Sequence, residues 1–407
     1  MKNPEPLSLY PHTLRRFLFA IVLSCGFANV GHARIVIQST VVDAAAGAIH
    51  TMRYGQSDDE TADSIPRRFQ DPWCFTMGST PRVTVVLADD GTTTGLSGLT
   101  GFPMGWRLSG LYIDPRPDVN PGIIANFDTG IQLYPVVTNG LCATLPAHVG
   151  WWWGFRKIDL YYYDFLTDEW VFDGSWKLPS GQPIFTTLGA PAEPMAKPWL
   201  GVLGFACWWG RGETEANSAT VKLTEELYGY GLYQPSASGF TRPVVRAGAN
   251  PDLELLFKEY FYLRAFLNDP QCPWGQCTDF ADFLVCMSNS VGAVGLVAIR
   301  TRPEALPSGV QFNTSPLHPA YRGACPEPSS FPFVFHSFAK SSALAWDGTH
   351  SYPSAGPTTG LSILTVFQPR LVQSWVPPWS GWSLFPNSGL TLNCVTGPVP
   401  SEAFVVE

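Results

Sequence analysis

The sequence predicts an α+β protein: an all-β first half, then helices packed on an antiparallel sheet. Charged residues are only 14% of the 407, while Gly (38) and Pro (37) are abundant, a balance that favours strands and ordered loops over long exposed helices. Up to about residue 194 apolar residues follow strand patterns. Beyond it helical spacing takes over before strand patterns return. The chain is long enough to fill two cores of ordinary size.

Residues 1–33 are set apart from the fold as an export signal. Arg15 and Arg16 precede the apolar run "FLFAIVL", and "GHA" at Gly31–Ala33 supplies small residues for cleavage, so a secreted or periplasmic chain is expected. A second cut is offered at "VLSC", which would leave the chain lipid-anchored through Cys25. The tract is too short to span a bilayer as a helix. Its removal takes Lys2, Arg15 and Arg16 together with Glu5, so the formal net charge moves from −8 to −10. That acidity argues against nucleic acid as a partner.

Residues 34–194 read as a β-sandwich-like domain. "RVTVVLADDGTT" alternates and ends in a turn, "KIDLYYYDF" is rich in aromatic and β-branched residues, and "LTDEWVFDGSW" reads as the following hairpin arm. "GAPAEPMAKPW" then makes a Pro-rich connection.

Residues 195–407 form the second predicted domain. "ETEANSATVKLTEELYGYG" puts Ala216, Ala219, Leu223 and Leu227 on one helical face, with Gly229 to end it. In "NPDLELLFKEYFYLRAFLNDP", Asn250 caps, Pro251 suits the first helical position, and Leu253, Leu256, Phe257, Tyr260, Leu263 and Leu267 make a buried stripe that Pro270 stops. A third helix starts at Cys277, with Phe280, Ala281, Leu284, Val285 and Ser288 on the Cys277 face and Cys286 on roughly the opposite side. "AVGLVAIRTR", "PFVFHSFA" and "SALAWDG" follow as strands, and "LSILTVFQ" and "GLTLNCV" add strand-like segments in the tail.

Nine cysteines become eight once Cys25 is removed, and in an oxidising compartment an even count suggests disulfides. Cys277 is then either one more half-cystine or a nucleophile. A cysteine in the first turn of a helix meets unpaired backbone N–H groups and the positive end of the dipole, both of which favour thiolate over thiol. Gly275 lets the chain turn just ahead of it. A nucleophilic thiolate also needs an imidazole to hold the ion pair and protonate the leaving amine. His318, between prolines, reads as a loop residue and His350, in "GTHSYP", as part of a polar turn. His336 alone sits in a clear strand pattern.

If "HSFAKSSALAWD" turns through Ser341 and Ser342, Lys340 lies opposite Ala343 and His336 opposite Asp347, close enough for the carboxylate to hold the imidazole. Each residue also has an ordinary structural use, as a core histidine or an Asp-Gly turn. No His/Cys cluster shows a zinc-finger or H-E-x-x-H spacing, so no metal is predicted.

"WGQCTDFADFLVCMSNSVGAVGLVAIRTR" resembles the nucleophile segment of the transglutaminase-like branch of papain-like cysteine enzymes, and "FVFHSFA" and "ALAWDG" resemble that family's His and Asp strands in the same order. "PWLGVLGFACWWGRGETEANSATVKLTEELYG" is similar to the helical lead-in of secreted bacterial members. The resemblance covers about Pro198 to Asp347. It implies a papain-like α+β domain with nucleophile Cys277, base His336 and orienting Asp347, acting on a protein or peptide amide without a cofactor, calcium staying open. Two departures stand out: Ser337 and Phe338 follow the histidine where the family has Ala and Trp, and Thr278 follows the cysteine where an aromatic is common. For the oxyanion, the Cys277 backbone N–H is one donor and Gln271, Trp274 or Gln276 are candidates for the second.

Once a thioester forms, water gives proteolysis or deamidation and a lysine amine gives cross-linking; relatives of this type favour hydrolysis. The competing reading is a non-catalytic surface or binding protein, in which "HVGWWWGF", "ACWWG" and "SWVPPWSGW" present aromatic faces to a peptide or sugar. In a mixed reading the N-terminal domain contacts a cell surface or polymer while the C-terminal domain acts on an amide.

Overall fold

The computed structural model describes residues 35–52, 67–68, 72–89, 104–111, 126–128, 137–141, 144–154, 157–164, 167–177, 182–233, 241–243, 259–269, 271–303, 312–314, 318–320, 331–333, 335–352, 356–376, 382–386 and 390–392. Its architecture is mixed α+β, with several small sheets and few helices. The chain divides into two compact units between Ala190 and Pro191, inside the Pro-rich connection. No helix among the described residues is long and apolar enough to cross a membrane.

In the first unit the alternating segments form the strands their patterns predict. Ile35–Asp43 runs antiparallel to Arg82–Asp89, and Lys157–Asp164 to Glu169–Lys177, the latter pair turning through Asp168 at a φ of 59°. Val42, Val83, Val85 and Leu87 from one sheet meet Ile158 and Leu160 from a second and Trp73, Phe75, Trp152 and Ile184 from a third in one apolar cluster. Burying a side chain of this size contributes about 1.5–3 kcal/mol relative to leaving it in water. Trp152 belongs to this core, its Nε1 donating to Thr186 Oγ1 at 2.9 Å. Trp151 stacks on Phe185 with ring centroids 5.8 Å apart. Trp151 and Trp152 of the run "HVGWWWGF" thus serve packing.

His50 joins Thr76 in the same unit, Nε2 to Oγ1 at 2.9 Å, and burial pushes its pKa down to about 4. The neutral ring is therefore the folded form. Stability from this site is complete above pH 6.5, the unfolded value, and falls by about 1.4 kcal/mol per pH unit from there toward pH 4. His50→Gln should flatten the decline of the first unit's thermal midpoint over that window. An unchanged slope in the variant would remove His50 from the acid response.

The second unit is organised around one helix. We number its helices α1 (Leu200–Trp209), α2 (Ala216–Tyr230), α3 (Leu263–Asn268), α4 (Cys277–Ser290) and α5 (Gln368–Ser374). Every residue of α4 is buried, where the spacing predicted a single buried face. Such a helix belongs in a core rather than on a surface. α1, α2 and the strands Val297–Pro303, His336–Ser341 and Leu344–Tyr352 enclose it. Phe283 meets Phe205 at 5.5 Å, Phe266 at 4.9 Å and Trp209 at 6.4 Å, in tilted or edge-on arrangements that suit aromatic pairs.

The polar residues that end α4 are satisfied locally. Ser288 Oγ donates to Val294 O at 2.7 Å and Ser290 Oγ to Cys286 O at 2.6 Å. Asn289 accepts from Leu296 N at 2.8 Å and donates to Leu296 O and Glu193 O. The turn after α4 is thus fixed by side chains, which sets where the following strand enters the sheet.

That sheet is antiparallel, in the order His318–Pro319, Leu344–Tyr352, His336–Ser341, Val297–Pro303, Trp382–Pro386, with Gly356–Ser362 also paired to Leu344–Tyr352. The three predicted strands are adjacent in it.

Several expectations are corrected. Glu259–Phe261 is a strand, paired with Thr241–Pro243 and Leu390–Leu392, so the helix predicted from Asn250 is interrupted and only α3 remains of its second half. Residues 250–258 lie outside the described residues. Tyr260 and Phe261 favour a pleated surface as readily as a helix, and the sheet decides. α2 runs past Gly229 to Tyr230 and is capped by Gly231, whose N–H donates to Leu227 O at 2.8 Å. "LSILTVFQ" leaves its strand at Ser362 and continues as a π-helix, Ile363–Phe367, into α5. Ile363, Phe367 and Leu371 are buried four residues apart, and Phe367 packs on Phe338 at 4.6 Å, a helical period masked by β-branched neighbours.

Candidate active site

The nucleophile candidate begins α4. Asp279 takes the backbone N–H of Gln276 at 2.8 Å, the reciprocal half of a capping box that fixes the start of the helix at Cys277. Gly275 permits this close approach, since a Cβ there would collide with the Asp279 carboxylate. Gly275→Ala should therefore lower stability by about 1–3 kcal/mol and slow alkylation of Cys277. A thermal midpoint and a labelling rate equal to wild type would show that the collision relaxes harmlessly.

Cys277 is a free thiol, 5% exposed, with Sγ 3.9 Å from the Phe335 carbonyl oxygen. Cys286 is also free and fully buried, and burial together with Asp282 pushes its pKa well up. The half-cystine reading of Cys277 is not what the structure contains. Arg300 lies 4.2 Å over the Phe335 ring, and burial lowers its pKa to about 9. A cation packed on that ring helps hold the segment entering the histidine strand.

His336 opens its strand, paired with Thr301 on one side. The hairpin register differs from the expected one by two: Lys340 faces Ala345, and Ser342, at a φ of 50°, belongs to the turn. Continuing that count sets Thr349, not Asp347, across from His336. Because strand side chains alternate with period two, a shift of two keeps Asp347 on the same face as a diagonal neighbour. The contact survives: His336 Nε2 and Asp347 Oδ2 are 2.7 Å apart, with the two side chains 1% and 3% exposed. Asp347 Oδ1 accepts from Thr349 N at 2.9 Å, so both carboxylate oxygens are engaged.

Burial works against charge on each member of this pair, but their mutual attraction outweighs it. Burial alone would lower the His336 pKa; the Asp347 charge and hydrogen bond, with a further contribution from Cys277, raise it to about 10. Burial alone would raise the Asp347 pKa, and His336, His350 and the Thr349 N–H bring it below its ordinary value. Nε2 is committed to Asp347, which leaves Nδ1 as the ring nitrogen for the Cys277 thiol.

Two residues that the sequence reading missed complete the surroundings. His350 lies in strand Leu344–Tyr352, not in a polar turn; it is 1% exposed, with its ring 5.0 Å from that of His336. Asp347 and His350 are three apart and in a regular strand would face opposite ways. The partner strand pairs Thr358 with Asp347 and Pro357 with Ser351, so residues 348–350 bulge, and the bulge returns His350 to the His336 face. Burial, then the His336 cation, lower the His350 pKa to about 3, so its ring stays neutral. His318 is likewise in a short strand, opposite Ser351.

The second missed residue is Tyr233, brought beside Gly275 by a parallel pair and held by its N–H donating to Ala320 O at 2.8 Å. Its ring meets His350 at 4.8 Å. Burial, with added repulsion from Cys277 and Asp347, pushes its pKa well up, so it stays a neutral hydroxyl. A tyrosine three residues beyond a helix had no signal of its own; only the pairing of residues 232–233 with 274–275 brings it here.

Of the proposed oxyanion residues, Gln271 is exposed on the turn before the helix, its N–H bonded to Asp269 at 2.7 Å. Trp274 is half-buried and pairs with Leu232. Gln276 uses its side chain in the helix cap. The backbone N–H of Cys277, at the first helical position, is the donor best placed by the fold. No metal was predicted, yet His336, Asp347 and His350 offer ligand atoms that all lie within 4.8 Å of one another.

No family model matches the chain, and no curated protein matches it either.

Proposed function

We propose that the protein is a secreted cysteine enzyme of transglutaminase-like type that acts on peptide or side-chain amides, with hydrolysis favoured over cross-linking. The observation that carries this reading is the buried His336–Asp347 pair, closed at 2.7 Å beside a free thiol on the first turn of a helix. Cys277 Sγ attacks the amide carbonyl, and backbone N–H groups at the head of α4 receive the oxyanion. His336 gives its proton to the leaving amine and then takes one from the water that opens the thioester. Asp347 holds the ring through the cycle. In this reading the first unit is a β-sandwich-like module that brings the enzyme to a cell surface or polymer, and the second is the papain-like catalytic domain. Against the aromatic-surface alternative, Trp152 and Trp209 are 1% and 5% exposed.

Alkylation tests the reading directly. Folded, unreduced protein treated with iodoacetamide at neutral pH should be modified at Cys277 and not at Cys286, with labelling slowed at least about 10-fold in His336→Ala. Amide substrates would then be screened. A Cys277 that resists labelling, or labels equally fast without His336, would overturn the mechanism.

A further inference from the structure

His350 has no task in a Cys-His-Asp mechanism, yet the strand carrying it is distorted so that it joins the other two. The bulge at residues 348–350 interrupts the ladder to Gly356–Ser362, and what it delivers is a second buried imidazole on the face of His336 and Asp347. Tyr233 packs edge-on against that imidazole, and the Thr349 N–H orients the carboxylate. Supporting contacts of this kind are what fix the ligands of a metal centre.

We infer that His336, Asp347 and His350 bind a divalent transition-metal ion, zinc foremost, and that the bound ion holds the cysteine enzyme in an inactive form; the second half rests on the function proposed above. The three ligand atoms lie within 4.8 Å of one another. With metal–ligand bonds of about 2.0–2.2 Å, ligand atoms of a tetrahedral site sit roughly 3.4 Å apart, so the His336–Asp347 contact at 2.7 Å must open slightly while wider gaps, up to 4.8 Å, close, adjustments that small ring rotations supply. Two imidazoles and one carboxylate suit zinc and its neighbours, and suit calcium or magnesium poorly, because those ions take oxygen ligands. The ion takes His336 Nε2 in place of its proton, which is released to solvent. The ring then serves as a ligand and no longer as the acid that protonates the leaving amine. Cys277 lies on the Nδ1 side of the ring, outside the ligand set.

The test is a cobalt titration of the full chain, stripped with a chelator and followed by visible absorption, with zinc competing. One ion per chain is expected, bound roughly 100-fold or more weaker in His350→Ala, beyond the 10- to 100-fold typical when a merely supporting group is lost. No uptake, or uptake that His350→Ala leaves unchanged, would overturn the site. Should that variant fail to fold, X-ray absorption of the zinc-loaded wild type counts imidazoles directly, and fewer than two would sink the assignment. The regulatory half is read separately: zinc should stop turnover in wild type and not in a folded His350→Gln variant, and equal inhibition of both overturns it. A Cys277 that is inert in the metal-free protein refutes the enzyme reading, while the cobalt and X-ray absorption results still judge the metal site.

Discussion

Cys277→Ala is expected to abolish amide turnover, by about 10⁴-fold or more, while the circular dichroism spectrum stays that of wild type. Removing a nucleophile from a set of residues that act together removes most of what the set contributes. The fold should tolerate the change, since the loss is one sulfur and the helix start is fixed by Gln276 and Asp279. Steady-state kinetics on an amide that wild type cleaves is the measurement. Full activity in the folded variant would exclude Cys277 as nucleophile.

Asp347→Ala should have the largest effect on stability. The substitution leaves His336 buried at 1% exposure without its counter-charge and leaves the Thr349 N–H without its acceptor. Breaking a buried ion pair by removing one partner costs about 3–5 kcal/mol, because the remaining charge has lost water and gained nothing in return. Chemical denaturation read on the second unit would measure it. Asp347→Asn keeps the shape and an oxygen for Thr349, so it should cost less stability while still lowering turnover by about 10⁴-fold, through loss of the orienting carboxylate. A destabilisation below about 1 kcal/mol in Asp347→Ala would mean that the pair contributes little to the folded state.

The positions that were readable from sequence are those where local pattern and tertiary packing agree. Cys277 at a helix head followed from Gly275 and a helical run, and the His336–Asp347 contact followed from a hairpin. The contact emerged although the turn was placed one residue early and the register therefore shifted by two, because only the parity of the register matters for which face a side chain takes. Where packing overrides pattern, sequence failed. Glu259–Phe261 is drawn into a sheet by strands distant in the chain, one of them at Leu390–Leu392. His350 joins the site through a bulge, and an extra residue in a strand leaves no periodic mark to read. Tyr233 arrives by a two-residue parallel pair. The burial of α4 on every side was hidden because Asp279, Asp282 and Asn289 look like a solvent face, yet each is buried.

That enclosure also bears on how such a protein can change over generations. A surface helix offers one side on which substitutions pass unnoticed; α4 offers none, for any altered side chain meets another element of the core. New substrate preferences would then have to arise in the loops and strands around the thiol, while the helix that carries it is handed down nearly whole.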